Sequence, residues 1–78
     1  MANEASEPRF QIGQQFLSPG KHPRLCTITD IFKTFNSENE LVRVRYVASH
    51  EFMGRVIVDA DVCDATVARG IDAMRKAA

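Results

Sequence analysis

The chain has 78 residues, 45% of them apolar and 26% charged, enough for one domain of ordinary globular composition with a thin core, because a chain this short buries only about 60% of the surface its unfolded form exposes. Ten Lys and Arg balance ten Asp and Glu, so no long-range positive field gathers phosphate, and any nucleic-acid role has to come from a local patch. No apolar run approaches the roughly 18 residues of a membrane span, and Met1 to Glu7 is polar and acidic where a secretory leader is basic and then apolar, so the expected localisation is cytoplasmic, away from any membrane.

Residues 1–8, MANEASEP, predict a disordered N-terminus. In FQIGQQF, Phe10, Ile12 and Phe16 bracket Gly13, which predicts a first strand bulged at the glycine. SPGKHP at 18–23 predicts an irregular loop, since proline fixes φ and glycine opens conformations closed to other residues.

Leu25 to Phe35, LCTITDIFKTF, is rich in β-branched and aromatic residues and predicts the second strand. After NSENE, the run Leu41 to Ser49 alternates, with Val42, Val44, Tyr46 and Ala48 on one face and Arg43 and Arg45 on the other. A three-residue loop, Ser37-Glu38-Asn39, with Asn39 in the left-handed region, joins the two strands. Pairing Asn36 with Glu40 then places Thr34 opposite Val42, Phe32 opposite Val44, Asp30 opposite Tyr46 and Ile28 opposite Ala48. One face becomes apolar except for Asp30. HEFMG at 50–54 reads as a loop, and RVIVDADV at 55–62 reads as a further strand with Val56, Val58, Ala60 and Val62 inward. That register sets Tyr46 against Val58, Arg45 against Asp59 and Arg43 against Asp61.

The C-terminal stretch admits two readings. Asp64 could cap a helix carrying Val67, Ile71 and Met74 on one side, with Arg75 and Lys76 suited to its C-terminal dipole. Gly70, Thr66 and Val67 argue instead for a short closing strand, TVARG, followed by a helical tail at 71–78, and the reading leans that way. The expected fold is mainly β: a small barrel or curled antiparallel meander over residues 9–70 with a short C-terminal helix or tail.

A strand, a Gly/Pro-rich loop, a meander, a brief turn near Val62 to Ala65 and a last short strand are similar to an SH3-like small barrel, a resemblance of strand order and loop length that spans about residues 9–70. LVRVRYV and HEFMG also resemble stretches of small uncharacterised proteins carried by bacterial plasmids and phages, which implies no activity. The plasmid-borne type of dihydrofolate reductase shares the barrel architecture and relies on a VQIY motif. The nearest segment here, VIVD at 56–59, lacks both the Gln and the Tyr, so no residue role carries over.

Candidate chemistry is sparse. Cys26 and Cys63 lack CxxC spacing and are expected to be free, unreactive thiols with no helix N-terminus or cation beside them, a disulfide being the alternative. Among His22, Cys26, His50 and Cys63 only the first two lie close in sequence, so neither metal nor other cofactor is expected. Cys26 and His50 fall opposite each other across the first hairpin, the one pairing that resembles a nucleophile and base. It reads as a coincidence at a sheet edge, and no enzymatic activity is expected. Phe52 and Met53 side by side in HEFMG suggest anchors for a protein partner or a second copy, with His50, Glu51, Arg55 and Ile57 around them. The expected function is therefore a non-enzymatic binding module using the 50–57 corner. The alternative is a nucleic-acid-binding face made of Lys21, Arg24, Lys33, Arg43 and Arg45, with Lys33 facing Arg43 across the outer side of the first hairpin.

Overall fold

The computed structural model describes residues 8–77. The predicted disorder at 1–8 lies, except for Pro8, outside them. Four antiparallel strands form one open sheet in the order β1 (Gln15–Leu17), β2 (Leu25–Phe35), β3 (Leu41–Phe52) and β4 (Arg55–Val62), followed by one helix, α1 (Asp64–Ala77). β1 and β4 lie at opposite edges, so the sheet does not close into a barrel. Of the two expected architectures, the meander with a C-terminal helix is the one formed.

The first strand is shorter than expected and begins at Gln15. Gly13, at φ 96°, turns the chain ahead of it while still donating its N–H to Ile28 O at 2.8 Å. The loop at 18–23 closes on itself, because Ser18 N–H donates to Arg24 O and Arg24 N–H to Ser18 Oγ, both at 2.9 Å.

The turn between β2 and β3 forms as the sequence predicts. Asn36 N–H donates to Glu40 O at 3.0 Å, Asn39 sits at φ 64°, and Asn36 Oδ1 accepts the N–H groups of Glu38 and Glu40 at 2.9 Å each. Ile28 also faces Ala48 as expected. Between these fixed ends the register departs by one residue. One irregularity, between Thr34 and Phe35, shifts the pairing, and a second, between Ile28 and Asp30, shifts it back. Ile31 therefore faces Tyr46, the place expected for Asp30, and Asp30 moves to the opposite face against Val47. The physical reason is burial: a carboxylate against Tyr46 would need a partner, whereas Ile31 packs there without one, and Asp30 Oδ1 accepts the Ile31 N–H at 2.8 Å in solvent.

The second hairpin differs more. HEFMG is not a loop, since β3 runs on to Phe52 and only Met53 and Gly54 turn the chain, at φ 53° and 79°. Positive φ at both central positions is the signature of a type I′ turn, whose twist matches that of the flanking strands. Phe52 now faces Arg55 and Ser49 faces Val58, an odd displacement that turns Val56 and Val58 away from the core.

The C-terminus is a helix from Asp64, so the leaning toward a closing strand is overturned. Its cap is Cys63, whose carbonyl accepts the Val67 N–H at 3.2 Å. Gly70, which counts against a helix on propensity, is buried where α1 meets β1: a Cβ there would lie 2.8 Å from Phe16 Cδ2, 2.9 Å from Leu17 N and nearer still to the Leu17 carbonyl oxygen. Close packing outweighs the roughly 1 kcal/mol propensity cost of the glycine.

Phe16, Cys26, Ile28, Tyr46, Ala48, Val62 and Val67 make the core, with Phe10, Ile31, Val44 and Ile71 packed against it. Tyr46 is its centre. Its ring meets Phe10 edge-on at 5.9 Å, its hydroxyl accepts the Phe10 N–H at 3.4 Å, and burial, with Asp64 close by as the lesser cause, pushes that hydroxyl up to about 12.

Gly70→Ala should destabilise the fold by about 1–3 kcal/mol, as overpacking does, although alanine is the better helix former. Urea unfolding checks this, and a variant as stable as the wild type or more so would contradict the close approach of α1 to β1.

Candidate functional site

The 50–57 corner is a strand end, not a loop, and its residues divide between two faces. His50, Phe52, Arg55 and Ile57 share the face that carries Tyr46 and Ala48, while Glu51 lies on the other, opposite Val56. Phe52 is half-buried because the Arg24 guanidinium stacks over its ring at 4.0 Å, so it is not a free anchor. Met53 is the exposed one, at 86%.

Beyond the corner the sequence reading missed the outer valines. Val56 and Val58 are 66% and 60% exposed, and Ile57 on the other face 41%. The signal was present in the Met-Gly pair: a glycine immediately before the Arg55–Val62 alternation marks the second position of a two-residue hairpin loop, and that loop sets the register. Asn or Asp ordinarily precedes such a glycine, and methionine concealed it.

These residues lie on the outermost strand. Among the described residues no strand pairs with the far side of β4. A two-residue loop closes on a hydrogen-bonded pair, Phe52 with Arg55, so Arg55, Ile57 and Asp59 direct their backbone groups to β3 while Val56 and Val58 direct theirs outward. The regular stretch ends after Asp59, where the register shifts between Ala48 and Tyr46.

The basic residues do not form one surface. Lys33 faces Val44, and Arg43 faces Thr34, so the expected Lys33–Arg43 pairing across the outer face is replaced by positions on opposite faces. Arg45 Nε lies 3.3 Å from Asp61 Oδ1, close but not aligned as a hydrogen bond. The ion pair on this face is thus Arg45 with Asp61, not with Asp59. Lys21 and Arg24 stay in or beside the 18–23 loop, with Arg24 held on Phe52.

Cys26 and His50 do meet, with Sγ 3.9 Å from Nδ1, and Asp59 joins them around a cavity of about 60 Å³. Burial first and the Asp59 charge second push the Cys26 thiol up, so its neutral form is favoured. Cys63 corrects a second expectation. It caps α1 and is half-buried, and the Thr66 hydroxyl, 3.3 Å from its sulfur, followed by the Thr66 N–H, lowers its thiol. Both cysteines are free. Among the described residues no three His, Cys, Asp or Glu side chains gather as metal ligands, and no helix is long and apolar enough to cross a membrane.

In the folded protein a thiol reagent should modify Cys63 before Cys26, with the Cys63 rate rising at lower pH than that of an unperturbed cysteine. Mass analysis of the modified peptides checks this. Equal rates, or Cys26 reacting first, would contradict the capping geometry.

No protein family, curated protein or solved structure matches the chain.

Proposed function

We propose that the protein is a non-enzymatic protein-binding module whose contact surface is the β4 edge together with the Met53-Gly54 turn. The observation that carries this reading is the run Met53 to Val58, where an 86%-exposed methionine is followed by outward Val56 and Val58 on a strand whose far edge has no partner among the described residues. Exposed apolar edges of this kind are usually blunted by lysine, proline or a bulge, and the Arg55–Asp59 stretch has none of them. Met53 supports the same reading, since a bulky side chain at φ 53° is strained in a position that suits asparagine, and strain retained at an exposed apolar tip suits a site of contact.

Nucleic-acid binding is less favoured. Lys33 points away from Arg43 and Arg45, Arg45 already faces Asp61, and Arg24 is engaged with Phe52. A phosphate backbone would find scattered charges there.

A photo-crosslinking residue at Glu51, which lies beside Val56, tests the proposal in cells producing the protein, with the same probe at Glu38 in the distant β2–β3 turn as control. The Glu51 probe should give a protein adduct of discrete mass that Val56→Thr with Val58→Thr removes and that Glu38 does not form. No adduct, the same adducts from Glu38, or adducts that a nuclease digests would overturn it.

A further inference from the structure

The geometry points to a second copy of the chain as the partner, paired antiparallel β4 to β4 about a two-fold axis through Ile57; this rests on the protein-binding reading above. An edge strand offers backbone donors and acceptors at every second residue, and on β4 these belong to Val56 and Val58. A two-fold axis normal to the sheet keeps each face on its own side, so facing residues must come from the same face. Centring on Ile57 meets this condition. Val56 of one copy then faces Val58 of the other, twice, and the two residues exchange N–H and C=O groups to give four backbone hydrogen bonds across the seam.

Charge selects this register over its neighbours. With Ile57 on the axis, Arg55 of each copy faces Asp59 of the other, and among the described residues neither of these side chains has an ion-pair partner within its own chain. Centring on Asp59 would set two carboxylates face to face, which is destabilising. Centring on Val58 would set Arg55 against Asp61, which Arg45 already approaches at 3.3 Å, and would carry the pairing past Asp59 into the irregular end of the strand. Only the Ile57 register confines the seam to the regular stretch from Arg55 to Asp59 and pairs two opposite charges that have no ion-pair partner among the described residues of their own chain. The four valines then lie together on the outer face, removing from water the apolar surface that is 66% and 60% exposed in the single copy. A seam this short gives a weak, concentration-dependent dimer, with dissociation in the micromolar range.

Because Arg55 and Asp59 meet only between copies, charge reversal has a distinctive pattern. Arg55→Glu alone sets a carboxylate against Asp59 of the other copy, and Asp59→Arg alone sets a second guanidinium against Arg55, so each variant should dissociate about tenfold or more readily than wild type. An equimolar mixture of the two should restore association as a mixed dimer, and the chain carrying both changes should dimerise again. Sedimentation equilibrium over micromolar to millimolar protein reads the wild type and all four of these samples, and circular dichroism checks that each is folded. Wild type that stays monomeric throughout would overturn the second-copy inference while leaving a Glu51 adduct with a different protein to support the binding reading. Association unaffected by the single changes, or not rescued in the mixture, would overturn the register.

Discussion

One helix has to cover a sheet nearly twice its length, and the rest of the molecule follows from that mismatch. Fourteen helical residues extend about 21 Å, whereas the 12 residues of β3 extend about 40 Å. The helix settles on the β1 end, where Gly70 lets its backbone reach Phe16 and Leu17 and where Val67 joins Phe16, Ile28 and Tyr46. Beyond Val44 toward the β2–β3 turn, and along nearly all of β4, the sheet is left largely without a cover. That is why Phe35 and Val42 are half exposed or more, whereas Phe32 is exposed because it faces Arg45 on the other side of the sheet, and of β4 only Val62 is buried.

Much of this was legible in the sequence. β-Branched and aromatic composition identified β2, alternation identified β3 and the Arg55–Val62 strand, and Asn39 identified the first turn as a residue type that takes φ 64° at little cost. What failed was register, for reasons tied to particular residues. Asp30 was the visible conflict in an otherwise apolar face, and the structure resolves it with paired irregularities that no alternation pattern encodes. Met53 hid a two-residue turn, so Val56 and Val58, assigned to the core, belong to the surface, while Val62 is buried as expected. Gly70 hid a helix, because its value lies in a contact with Leu17, more than 50 positions away, that local propensity cannot register.

The candidate surface was legible in place but not in kind. Of the two anchors expected at 50–57, Phe52 is capped by Arg24 and Met53 is exposed, and the exposed apolar side chains beside it are Val56 and Val58. The same register change moved the charges. Asp59, expected to serve Arg45 within the sheet, instead accepts the Asp61 N–H at 3.3 Å and borders the Cys26–His50 cavity, while Asp61 takes its place against Arg45.

The account stands on the backbone of β4, where alternate amides face β3 and the open edge. Amide hydrogen exchange followed residue by residue at rising protein concentration tests it most directly. In dilute solution Ile57 and Asp59 should be protected while Val56 and Val58 exchange freely, and as concentration rises Val56 and Val58 should gain protection together. Protection of Val56 and Val58 already at high dilution, or free exchange of both at every concentration, would contradict an open edge that a second copy completes.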